Sequence, residues 1–386
     1  MKSALFLRSS FSYFWYFGLL GLIIPFLPLF LDGKNFSSVE IGEILAIFTA
    51  TKIIGPTLWA VLADKTGQQL GIIRLGAFLA CAFFTFLFWL NDYWPVVFCL
   101  ATFSLFWTAI LPQLEVMTLN SIRRSAKIYA RIRLWGSIGF IFFAVVAGEV
   151  IEQFSSEAFT YIGFIILLGL FLSTLLIKQS KIKQSQITKT SSIKRKLFNI
   201  NFAVFFIAGL LLQLSFGPYY SFFALYLRDL QYPGFAVGIL ISLGVIAEIT
   251  IFIYAGKIFK HFSIKNILVF SLITTSFRWF LMGHLGDSML VMILSQAIHA
   301  ASFGLYHSAS IQFLQRHFDP SQQNRGQAVY IGGVYGIGGA IGAYLAGVLW
   351  LNGAGSTTAF DMAMLAAFIG AILALFIKVS DRDKKT

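Results

Sequence analysis

The chain reads as a succession of long apolar runs separated by short polar breaks. A helix needs about 20 mostly apolar residues to cross a bilayer. Twelve runs qualify: 10–31, 38–62, 72–90, 95–119, 133–151, 158–177, 200–226, 235–256, 264–284, 288–313, 325–350 and 356–377. An even number puts both termini on one side of a membrane. The first run, from Phe11 to Leu31, is too long for a signal-peptide core and is followed by no small-residue cleavage site, so it is expected to stay as a span.

Composition agrees with that pattern. Of 386 residues, 58% are hydrophobic and only 12% charged, where a soluble domain is about a quarter charged. The net charge of +13 raises nucleic acid as a partner, but the positions of the basic residues dismiss it. Twenty-five of the 29 fall on the side holding the N-terminus. Positive-inside counting makes that side the cytoplasm, so both termini are expected there, in a bacterial inner membrane. Seven basic residues crowd "KQSKIKQSQITKTSSIKRK" at 178–196, which reads as a polar linker or as a surface helix on anionic lipid. The expected domains are a six-helix bundle at 1–177, a linker at 178–199, and a second bundle with a short tail at 200–386.

The two halves echo each other. "LWAVLADKTGQQLGIIRLG" after the second run and "IFIYAGKIFKHFSIKNILVFS" after the eighth are both tight turns on the cytoplasmic side. Gly18, Gly21, Pro25 and Pro28 interrupt the first run, and Gly217-Pro218 the seventh. Repetition with Gly/Pro-broken helices points to a transporter with its site near the midplane; any one such proline can also be a packing defect that neighbours tolerate.

"LADKTGQQ" at 62–69 resembles the signature loop of the major facilitator superfamily, with Asp64 and Gly67 in place as a gating loop and Gln68-Gln69 where its basic pair is expected. "YARIRLWGSIGF" (129–140), "YYSFFALYLRDL" (219–230), "SLGVIAEITIF" (242–252), "SLITTSFRWFLMG" (271–283) and "QAIHAASFGLYH" (296–307) resemble the phenylpropionic acid permease branch, related to lactose permease and other oligosaccharide–proton symporters. The resemblance implies an all-α membrane protein of twelve spans in two six-helix bundles with internal repeats.

The polar residues inside the runs need separate reasons, because a charge at the bilayer centre costs about 2.5–3.5 kcal/mol. Glu248 lies nine residues before Lys257, about 13 Å from the cytoplasmic boundary at 1.5 Å per residue. Arg278 is about 20 Å up from Lys265, and His299 about 16 Å in from the outer end of its run. The three share one slab of membrane, so Arg278 is expected to compensate Glu248 directly, either as a structural ion pair or as a proton-coupling pair. By resemblance, a lactose-permease-like symporter carries a glutamate, an arginine and a histidine at matching places and uses them in coupling and sugar binding. The further carboxylate and lysine that flank that histidine in the permease are here Ser302 and Gln296, so Glu248 would have to carry the proton step.

Gln296, His299, Phe303, Tyr306 and His307 recur along one helical face and suit a cavity wall, although packing alone would explain Phe303 and a backbone hydrogen bond His307. In the first half, Lys52 or Arg133 could hold a carboxylate substrate, while a sugar would want polar groups and an aromatic floor such as Trp135; Glu115 is a further candidate contact, and Glu115 paired with Lys52 or Arg133 is the plain alternative. Tyr219, Tyr220, Gln296 and Phe303 complete the candidate substrate set.

No enzyme motif emerges. A phosphate-cradling glycine loop with a lysine is missing, the glycine-rich 332–347 lies within a run where small residues let helices pack, and neither Cys81 and Cys99 nor the single histidines at run ends have metal-ligand spacing. No cofactor is expected. The expected function is a monomeric secondary carrier, importing a small organic solute with protons. An aromatic or other small carboxylate comes first as substrate and a sugar or nucleoside second; a drug exporter and a membrane sensor are rival readings.

Overall fold

The computed structural model describes residues 2–122, 125–178 and 192–378. Most of the 178–196 loop therefore lies outside the described residues. Among the described residues, twelve helices are long and apolar enough to cross a membrane: Phe6–Gly33, Ser38–Ala63, Gln69–Phe88, Tyr93–Ser121, Lys127–Gln153, Ala158–Leu175, Ile200–Asp229, Gly234–His261, Ile264–Leu285, Met289–His317, Gln323–Gly353 and Ser356–Ala374, called spans one to twelve. The described residues contain no strand. Large apolar side chains such as Trp94, Phe98 and Phe277 stand exposed, which is costly against water and natural against lipid.

Local chemistry sets the ends. Span two starts at a capping box: the Ser37 hydroxyl accepts from the Glu40 amide, and the Glu40 carboxylate accepts from the Ser37 amide at 2.8 Å. It ends at Gly67, whose amide donates to the Ala63 carbonyl at φ +66°, a left-handed conformation that glycine takes without a Cβ penalty. This accounts for one of the two gating-loop residues; the side chain of Asp64 is not among those described. Ser263 and Asn199 cap spans nine and seven with side-chain oxygens that accept from the Asn266 and Asn201 amides.

Prolines act unevenly. Span seven breaks at Phe216, ahead of Pro218, as expected. Span one does not break: its helix runs unbroken from Lys2 to Gly33 through Pro25 and Pro28, since each proline removes only its own amide bond and packed neighbours hold the rest. Span four breaks at Thr108–Ala109, which the apolar pattern hid. Pro112 there has no N–H to offer the Thr108 carbonyl.

The helices group by contact into two units, 1–185 with 222–242 and 186–221 with 243–386. This grouping differs from a division into two sequence halves, because Phe222–Ser242 joins the first unit. Within the first unit, span one lies so close to span five that a side chain at Gly139 would meet the Phe14 carbonyl, and one at Gly21 the Phe140 carbonyl. Within the second, spans ten and eleven each carry a π-helical stretch, Ala300–Leu305 and Ile331–Gly338, a wider turn that recurs at functional sites.

Candidate functional site

In the second unit the charged residues form one chain of contacts. His299 Nε2 meets Glu248 Oε1 at 2.5 Å, and His299 Nδ1 meets Arg278 Nη1 at 2.9 Å. Arg278 Nη2 also donates to Gln296 Oε1 at 3.3 Å, which accepts from the Tyr219 hydroxyl at 2.8 Å. Arg278 and Gln296 are fully buried, and His299 is 5% exposed. The expected direct Glu248–Arg278 pair is replaced by a histidine-bridged one, because span ten passes between spans eight and nine at this depth. Gly244 lets it come close: a Cβ there would sit 3.2 Å from the His299 ring.

The protonation pattern follows from the donors. Arginine only donates, so Nδ1 of His299 must accept, and the single ring proton of the neutral imidazole sits on Nε2, pointing at Glu248. Glu248 then accepts as a carboxylate oxygen. A second proton on His299 would put N–H against N–H and expel Arg278. Protonation in this cluster is thus linked to where the guanidinium points.

Arg278 is compensated in the membrane through its two terminal nitrogens, while its buried Nε has no partner among the described residues. The penalty is about 2.5–3.5 kcal/mol, against about 1.5–3 kcal/mol for each hydrogen bond to a charged group. Its guanidinium also stacks on Tyr219 at 4.3 Å, Trp279 at 4.5 Å and Phe216 at 5.9 Å. Tyr220 stacks on Phe216 at 5.3 Å. Phe303 lies parallel to His299 at 5.7 Å, and His307 parallel to Phe303 at 6.1 Å. An ideal α-helix drifts at i, i+4 spacing; the π stretch offsets that drift and keeps the three rings in a column. Tyr306, placed on the same face by spacing alone, is instead buried beside Tyr330. His307 bonds the Tyr335 hydroxyl at 2.8 Å rather than a backbone group.

The first unit is built differently. Lys52 lies over Phe48 at 4.6 Å and Trp107 at 5.7 Å. Among the described residues no carboxylate is within ion-pair distance of it. Phe103 stacks on Trp107 at 5.9 Å, and Tyr16 stacks on the same Trp107 at 5.3 Å, which makes an aromatic floor under one cation. Glu115 takes the Tyr129 hydroxyl at 3.0 Å, so neither of its expected ion pairs forms. Arg133 stacks on Phe17 at 3.6 Å. Trp135 is 41% exposed and, two residues on, points about 160° away from Arg133, so it is no floor to this cluster. The residues that do form the floor were legible in part, since Phe48 is four residues before Lys52 on the same helical face. Tyr335 and Phe216 gave no such signal.

Known proteins share this architecture. Residues 6–362 match the MFS_1 like family. A probable 3-phenylpropionic acid transporter of Escherichia coli (strain K12) is 28% identical over 345 residues, 88% of this chain and 89% of that protein. A maltose permease of Geobacillus stearothermophilus is 22% identical over 86% of this chain and 83% of its own length. Among solved structures, a mutant of the nucleoside transporter NupG superposes with a TM-score of 0.89 at 17% identity, covering 97% of this chain and 100% of that one. It shares the fold. The chain therefore belongs to the MFS_1 like family of the major facilitator superfamily, a multi-pass membrane protein and secondary transporter of small molecules rather than an enzyme.

Proposed function

We propose that this transporter is a proton-coupled importer of a small carboxylate, an aromatic one first, acting as a monomer in a bacterial cytoplasmic membrane with both termini inside. It alternates access between the six-span halves 1–177 and 200–386, joined by 178–199. Glu248, His299 and Arg278 handle the proton. Lys52 anchors the solute carboxylate in the first unit; in the second, Tyr219, Tyr220, Gln296 and Phe303 are the candidate solute contacts. Arg133 and Glu115 shape the field around Lys52.

The observation that carries the reading is Lys52 on its aromatic floor. Two cation–π contacts, about 2 kcal/mol each when desolvated, offset a burial cost of about 2.5–3.5 kcal/mol without supplying a counter-charge. A cation with no carboxylate beside it among the described residues and aromatic rings beneath it suits a ligand that brings both a carboxylate and a ring. The named solute of the E. coli relative has both groups. The Glu248–His299–Arg278 chain supports the coupling half, since a proton there competes with the arginine.

Reconstituted protein tests this in proteoliposomes under an imposed pH gradient. Saturable uptake of 3-phenylpropionate above equilibrium is the expected result. Uptake of maltose or a nucleoside without any carboxylate would move the sugar or nucleoside reading ahead; extrusion of amphiphiles driven by the gradient would establish the exporter.

A further inference from the structure

We propose that His307, held by Tyr335, is a second proton partner for Glu248, so that the carboxylate serves two histidines rather than one. This role presupposes the proton-coupled reading. Span eight packs on the π-helical turn of span ten, where Gly304 faces Ile251 and Glu248: a Cβ on Gly304 would lie 2.7 Å from Ile251 Cγ2 and 3.7 Å from both Cα and Cγ of the glutamate. His299 is five residues before Gly304 and His307 three residues after it. The carboxylate thus leaves the backbone between the two imidazoles and in the resting geometry turns to His299.

His307 is equipped for the task. Nδ1 meets the Tyr335 hydroxyl at 2.8 Å, and Nε2 has no hydrogen-bond partner among the described residues. With the ring proton on Nδ1, Tyr335 accepts and Nε2 presents a lone pair. A protonated Glu248 that swings from His299 can give up its O–H proton there: that bond breaks, the Nε2–H bond forms, and carboxylate and imidazolium result. Loss of the proton from Nε2 to water restores the neutral ring. The groups facing His307 are Glu248 from span eight, Tyr335 and, behind it, Tyr330 from span eleven, and Phe303 on its own helix. Arg278 is held on the far side of His299.

The π-helical stretches make the placement possible. They bring Tyr335 and His307 together and keep Phe303 stacked between the two histidines. Phe303 separates the rings, so the two imidazoles do not meet directly.

The chain has five histidines, few enough for a pH titration of full-length protein carrying ¹⁵N-histidine, with His307 assigned by loss of its signal in His307→Gln. The His307 midpoint is expected to move by about half a pH unit or more in Glu248→Gln, and its tautomer ratio to change in Tyr335→Phe, while the His261 signal stays. An unmoved His307 midpoint in Glu248→Gln overturns the proposal without touching the coupling reading, which stands or falls on whether the same variant still accumulates solute. With 3-phenylpropionate as probe, His307→Gln should slow gradient-driven uptake about a hundredfold and leave exchange within about twofold. An equal loss in both would mean that His307 only holds solute, which also overturns the proposal.

Discussion

The two charged clusters of this transporter solve the same problem in opposite ways. In the second unit, Glu248, His299, Arg278, Gln296 and Tyr219 are linked atom to atom, and Arg278 is fully buried among them. In the first, Lys52 and Arg133 each rest on aromatic rings, and Glu115 binds a tyrosine hydroxyl instead of either cation. A linked chain stores alternatives: one added proton forces a partner to let go. A cation over a ring stores a deficit, because quadrupole attraction does not neutralise charge. The difference suits one cluster to moving a proton and the other to holding an anion.

Variants can break this contrast. The largest effect is expected from Glu248→Gln, which keeps the volume and removes the ionisable oxygen. Gradient-driven accumulation should vanish while exchange down a gradient persists; uphill uptake at the wild-type level would leave Glu248 a structural partner only. His299→Gln should impair both, because one terminal amide does not span Arg278 and Glu248 as the two ring nitrogens do, at a cost of about 1.5–3 kcal/mol for the lost hydrogen bond to a charged group. Intact exchange in that variant would detach His299 from the solute.

Smaller effects sharpen the picture in the first unit. Lys52→Gln should weaken carboxylate binding by about 1.5–3 kcal/mol, read by calorimetry or by a thermal shift with 3-phenylpropionate. Arg133→Gln should weaken binding less than Lys52→Gln and instead lower stability by about 0.5–2 kcal/mol, the value of its stacking on Phe17. If Arg133→Gln weakens binding more than Lys52→Gln, the anion sits by span five; if both bind normally, the sugar reading gains. Trp135→Ala should change binding and melting temperature least, within about 0.5 kcal/mol, and a loss of uptake there would return this residue to the solute's path.

The sequence by itself determined the membrane fold. Spans must satisfy their own backbone in lipid, so apolar run length maps directly onto helices, and all twelve appear close to their expected ends. Gly67 and the break at Gly217-Pro218 were legible for the same reason: both are backbone effects written in one or two residues. The depth of Glu248, Arg278 and His299 was legible too, because rise per residue is fixed. Azimuth between helices was not. Which of three residues at one depth stands in the middle depends on helix rotation and close approach, and here Gly244 and Gly304 let spans eight and ten meet so that His299 bridges. The same cause misdirected Trp135, put Phe48 and Trp107 under Lys52, and aligned His299, Phe303 and His307 through a π-helical turn that no apolar period announces. Side-chain partners across helices are decided by packing geometry, which a one-dimensional pattern does not encode.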